Sequence, residues 1–189
     1  IGNENPRTDD NQSLNRTFLH TGTEAFVDVR LGLRADIGGL CAQAADQDGD
    51  GWDDLLVCGG AGLATVDWNP GDNRLHLFRN LRGPDGGRRL VDVAPWLGID
   101  LEGVQAARLA HLDGDGHLDL VVVKRNSVSV WPGAADGTFG FAVFREDLQA
   151  GHAVTLADVD GRLGLDLFVV QACGGPRGVN LADRLYLDA

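Results

Sequence analysis

The chain has no methionine, three cysteines and three serines in 189 residues. Without methionine it carries no initiator, and it reads as a processed, excised or partial product whose targeting signal, if it had one, lies elsewhere. Three cysteines are too few for a disulfide scaffold, and none stand in the CxxC spacing of zinc or redox sites. Ser13, Ser127 and Ser129 lie in no GxSxG turn, which argues against a hydrolase triad. No apolar run approaches the ~20 residues that span a bilayer, and "IGNENPRTDDNQSLNR" has neither the basic start nor the apolar centre of a signal peptide. Basic side chains are scarce as well, 16 against 28 acidic ones, for a formal charge of −12. Such a surface repels phosphate backbones and anionic lipid, so neither nucleic acid nor a membrane is an expected partner.

What is present is repetition. With 43% hydrophobic residues the chain can build a core, and three segments distribute them alike: "AADQDGDGWDDLLV" from Ala44, "LAHLDGDGHLDLVVV" from Leu109 and "LADVDGRLGLDLFVV" from Leu156. Each is an apolar strand, an Asp/Gly loop and a second apolar strand. A second marker begins at Asn15, Asn73, Asn126 and Asp183 ("NRTFLH", "NRLHLF", "NSVSVW", "DRLYLD"), at spacings of 58, 53 and 57 residues. A third follows it: "AFVDVR", "RLVDVA" and "FAVFRE". No long segment has helical periodicity, so the chain is expected to be all-β. Four short strands per period of a little over 50 residues is the pattern of a β-propeller blade of four antiparallel strands. The predicted division is 1–36 as the end of one blade, 37–94 and 104–148 as two blades, and 151–189 as the start of a further one. Propellers close with at least about four blades, so other sequence or neighbouring chains are expected to complete the ring.

"DQDGDGWDDLLV" and "LDGDGHLDLVVV" resemble the FG-GAP or VCBS repeats of integrin-α-like propellers, and "ADGTFG" at 135–140 contains the Phe-Gly pair of that family's name. "NRTFLHTGTEAFVDVRLGL" and "NRLHLFRN…LVDVAPWLGI" are closer to the cartilage acidic protein and UnbV-like subgroup. The resemblance implies a ring of seven or eight blades, calcium in inter-strand loops, and an extracellular recognition protein or an accessory domain of a secreted enzyme.

The acidic loops have chemistry of their own. Calcium takes six to eight oxygens, and a loop with carboxylates at alternate positions, made pliant by glycine, can wrap it. Asp46, Asp48 and Asp50 occupy positions 1, 3 and 5 of the first loop, Trp52 offers a backbone carbonyl at position 7, and Asp54 closes at position 9. Val57 stands where an EF-hand would need glutamate, and flanking helices are missing. The competing reading is a plain turn, which Asp and Gly also favour. In the second loop His111 replaces the first aspartate while Asp113, Asp115 and Asp119 remain. Imidazole is a poorer ligand for a hard cation, so weaker calcium binding is expected, with a transition metal on His111 or His117 as the alternative. In the third, Asp158, Asp160 and Asp166 accompany Arg162, whose guanidinium is expected to neutralise the loop in place of an ion.

Other features are assigned to solvent or packing. "RGPDGGRR" from Arg82 lacks GK[ST] and reads as a solvated hairpin loop, and Arg79, Arg82, Arg88 and Arg89 read as a solvated basic face, or else as a contact for an acidic partner. Asn11 and Asn15 match the N-glycosylation acceptor pattern. Trp52, Trp68, Trp96 and Trp131 are expected in inter-blade packing or loops. Cys41 and Cys58 flank the first loop nearly opposite each other; whether they are bridged is open, since adjacent antiparallel strands often miss the geometry. The leading expectation is a calcium-stabilised module in an extracellular, periplasmic or cell-surface setting, binding a protein or glycan at its loop tips or packing against neighbouring chains. Its rivals are the propeller of a secreted polysaccharide-active enzyme and a purely structural subunit.

Overall fold

Residues 17–20, 22, 26–29, 41–59, 74–162, 164–172 and 181–187 are described by a computed structural model. Among them the short Val- and Leu-rich runs form strands and there is no helix. The strands β1 (Thr17–His20) and β2 (Phe26–Val29) pair with each other. A second sheet holds β3 (Cys41–Ala45), β4 (Asp54–Cys58), β5 (Leu75–Arg82) and β6 (Arg88–Asp92) in chain order. A third holds β7 (Val104–Ala110), β8 (Asp119–Lys124), β9 (Ser127–Trp131) and β10 (Phe144–Asp147), again in chain order. The last holds β11 (Gly151–Ala157), β12 (Asp166–Gln171) and β13 (Arg184–Tyr186).

Every pairing is antiparallel between chain neighbours. The chain is therefore all-β, and its four-stranded meanders are those of propeller blades; the described residues do not close a ring. Asn11, Ser13, Asn15, Trp68 and Cys173 lie outside the described residues. No helix among the described residues is long and apolar enough to cross a membrane.

The blades pack face to face, which explains why their middle strands lose the usual alternation. Leu56, Cys58, Leu75 and Leu77 of the second sheet meet Ala107, Leu109, Leu120 and Val122 of the third in one core. Val121, Val123 and Val128 of the third sheet meet Val154, Leu167 and Val169 of the fourth in another. Strand β8 thus has apolar neighbours on both sides, and "LVVV" is buried without interruption. Such a continuous run is what a strand covered on both faces requires. Burying each of these side chains contributes on the order of 2 kcal/mol.

Cys41 and Cys58 are direct cross-strand partners in the β3–β4 pair, with Cα atoms 5.1 Å apart, and they form a disulfide. The bond joins the two strands at the end away from the acidic loop between them.

Candidate metal centre

Each Asp/Gly loop joins the first and second strands of a blade. In the first, Gly49 and Gly51 adopt φ of +75° and +86°, a conformation that other side chains resist, and this brings the chain round sharply enough to aim alternate side chains inward. Local hydrogen bonds fix the curl. Asp46 Oδ2 accepts from Gly51 N at 2.9 Å, Asp48 Oδ1 from Asp50 N at 3.3 Å and Asp50 Oδ1 from Trp52 N at 2.9 Å. Oxygens of Asp46, Asp48 and Asp50 lie within 4.8 Å of one another. Asp46 Oδ1 is buried and has no hydrogen-bond partner. An ionised oxygen withdrawn from water without a donor is costly, and a hard cation bound by oxygens is the chemistry that satisfies it. The residues at this site fit calcium.

Asp54 is placed differently from its loop neighbours. It is 3% exposed, and its two oxygens accept from Gln47 N at 3.1 Å and Asn80 N at 2.9 Å. Burial pushes its carboxyl above the ordinary aspartate range, and those two hydrogen bonds offset this only in part. The same staple recurs in the next blade. Asp119, 1% exposed, accepts from Leu112 N and Gly133 N, both at 2.8 Å. Asp166, equally buried, accepts from Val159 N at 2.7 Å. The ninth loop position therefore ties the loop to its blade, whatever else it holds.

The second and third loops differ in how closely their carboxylates are gathered. In the second, His111 Nδ1 lies 2.8 Å from the His117 carbonyl, which can only accept, so Nδ1 carries the proton. The imidazole thus occupies the carbonyl that a loop ligand at position 7 would supply. Asp113 and Asp115 cap the backbone N–H groups of Asp115 and His117, and with Asp119 they are not gathered as the first trio is. In the third loop Asp158, Asp160 and Asp166 do lie within 4.8 Å of one another. Arg162 Nε is 3.4 Å from Asp160 Oδ2 with the arginine side chain 74% exposed, so it meets the loop from the solvent side and leaves the carboxylates gathered.

The basic face predicted around the β5–β6 hairpin is in part turned onto the chain's own acidic loop. Arg79 Nε is 3.3 Å from Asp48 Oδ2, and Arg88 lies 3.9 Å from Asp50 with its guanidinium 3.6 Å from the centre of the Trp52 ring. Trp52 itself is half exposed, Trp96 is 75% exposed, and Trp131 packs against the core between the second and third blades.

Two glutamines absent from the sequence reading join the second and third blades. Gln43 bonds the Leu109 backbone through both side-chain atoms, and buried Gln47 donates to the Gly137 carbonyl at 3.0 Å. Gly137 is the tip of the hairpin in "ADGTFG", where Asp136 accepts from the hydroxyl and N–H of Thr138 and is held below the ordinary aspartate range by them. The position of Gln47, between the first two loop aspartates, was the only available signal.

No curated protein matches the chain. Residues 111–169 match the family model of the FG-GAP-like repeat, which identifies the stretch from the second acidic loop to β12 as such a repeat.

Proposed function

We propose that this chain is part of a calcium-stabilised, extracytoplasmic β-propeller that serves as a protein-binding or assembly module. The observation that carries the proposal is the convergence of Asp46, Asp48 and Asp50 with a buried, partnerless oxygen on Asp46. Asp158, Asp160 and Asp166 form a second candidate centre, and Asp113, Asp115 and Asp119 a weaker one. The ion's role is structural: it draws together carboxylates that repel one another and so fixes the turn at the end of each blade. An oxidising setting is supported by the Cys41–Cys58 disulfide, since such bonds persist outside the cytosol.

Binding or assembly is supported by the repeat type at residues 111–169 and by exposed apolar side chains, Phe141 at 93% and Val143 at 73%, ahead of β10. The markers "NRLHLF" and "LVDV" support placement near the cartilage acidic protein and UnbV-like subgroup.

Extracellular calcium sites commonly have Kd of about 10⁻⁴ to 10⁻³ M, so millimolar calcium stabilises one such site by roughly 0.5 to 1.5 kcal/mol. The test is thermal melting of the purified chain in millimolar calcium and in EDTA, with metal content by mass spectrometry. Calcium raises Tm and EDTA lowers it; identical melts and no bound metal would refute the proposal.

A further inference from the structure

We infer that Arg79 is a built-in competitor of the divalent cation at the first acidic loop, and that it links occupancy of that loop to the hairpin of the next blade. The inference rests on the reading of Asp46, Asp48 and Asp50 as a cation site. Arg79 stands on β5 opposite Val91 and reaches across to the loop, where its Nε comes within 3.3 Å of Asp48 Oδ2. Both side chains are largely buried, at 18% and 17% exposure. Yet Arg79 Nε has no partner of hydrogen-bond geometry, and Asp46 Oδ1 in the same loop has none either. One guanidinium neutralises part of the trio and satisfies it incompletely.

The other end of Arg79 is committed elsewhere. Its terminal nitrogen donates to the Gly137 carbonyl at 2.7 Å and approaches Gln47 Oε1 at 3.3 Å. Gly137 has φ of +71°, and a Cβ there would collide with the Arg79 guanidinium and come within 2.8 Å of Asp48 Cβ. The hairpin tip therefore closes directly over the Arg79–Asp48 pair. A divalent cation that takes the Asp48 oxygen removes the attraction that holds Arg79 and adds a repulsion. By linkage, whatever Arg79 subtracts from cation affinity the cation subtracts from the hold of Arg79 on Gly137.

The repeat shows that the second loop has no counterpart of this arginine. Asn80 N and Gly133 N perform the same service for Asp54 and Asp119, so the residue of the third sheet in the place of Arg79 is Pro132. Pro132 has no charge to offer the second loop.

The test is calorimetric titration of calcium into the EDTA-stripped chain, as wild type, Arg79→Met and Arg79→Lys. Removing the competing charge from beside Asp48 is expected to let Arg79→Met bind calcium at least about fivefold more tightly, while Arg79→Lys, which keeps the charge, stays closer to wild type. Equal or weaker binding by Arg79→Met overturns the role of Arg79 and leaves the cation site standing. If none of the three proteins binds calcium, the cation reading of the loop falls, and this inference with it. If only Arg79→Met binds, competition is established and calcium stabilisation of the natural protein is lost. A readout on wild type guards against a variant that does not fold: the NMR signal of Arg79 Nε–H is expected to move during the calcium titration, and a signal that stays fixed while calcium binds overturns the inference.

Discussion

Gln43 and Leu109 pair as two strand residues do, although one partner is a side chain. Gln43 Nε2 donates to the Leu109 carbonyl at 2.8 Å, and Gln43 Oε1 accepts from Leu109 N at 2.9 Å. Leu109 lies on β7, which pairs with β8 on one side only, so its outward N–H and C=O would otherwise remain an unpaired sheet edge. Gln43→Leu leaves both groups without a partner between two blades. The expected loss is about 1 to 3 kcal/mol in urea unfolding, and Gln43→Glu, which keeps the acceptor and loses the donor, should recover little of it.

The buried aspartate at the ninth loop position gives a sharper prediction. Asp119 accepts two backbone N–H groups, from Leu112 and Gly133. An amide in its place has one oxygen, and its NH₂ would face an N–H. Asp119→Asn should therefore cost about 2 to 3 kcal/mol by guanidinium denaturation, comparable to the 2 to 5 kcal/mol expected of the core substitution Leu120→Ala. A loss below 0.5 kcal/mol would show that the staple is not a structural requirement.

Reduction of the Cys41–Cys58 bond tests its share of stability. The two residues are 17 apart in sequence, and cross-links of this span stabilise by about 3 kcal/mol in the chain-entropy account. Melting with and without reductant should show a clear fall in Tm, and the Cys41→Ala, Cys58→Ala double variant should be insensitive to reductant.

The pair of His76 Nδ1 and Asp92 Oδ2, 2.7 Å apart with His76 2% exposed, sets an acid dependence. Burial raises the Asp92 carboxyl, but hydrogen bonds from His76 and from backbone N–H groups outweigh it, so the carboxyl lies below the ordinary aspartate range. Because the folded value is depressed, the stability Asp92 contributes is complete above the unfolded value of about 3.9 and is lost as pH falls through the folded one. Urea midpoints measured from pH 6 down to pH 2.5 should fall in that acid window, and Asp92→Asn should lose less over the same range. Parallel curves would assign the acid loss to other carboxylates.

Much of the fold was legible because its determinants are local and repeat. The three Asp/Gly loops, the asparagine-led strands and the unbroken "LVVV" of β8 each announce a turn or a doubly covered strand by neighbouring residues alone. The convergence of Asp46, Asp48 and Asp50 was legible for the same reason, being a property of one turn. Arg79 at Asp48, by contrast, depends on the register of β5, and Gly137 over Gln47 on how the third blade is set against the second. Nothing within a few residues of either position encodes those distances. How the other two loops gather their carboxylates was not legible, because spacing does not carry it: His111 donates to the carbonyl of His117, and Arg162 meets Asp160 from the solvent side. The opposition of Cys41 and Cys58 could be counted from the loop length, but the bond itself depends on the cross-strand geometry.

Strand β8 serves two cores at once, and its residues divide between them by parity: Leu120 and Val122 belong to the contact with the preceding blade, Val121 and Val123 to the contact with the following one. Neighbouring valines in one strand thus answer to different partners. A tolerated change at one of them says nothing about the next, and covariation along β8 should run in two interleaved sets, each tied to a different blade. Interfaces on the two sides of a blade can in this way be tuned independently within a single run of four apolar residues.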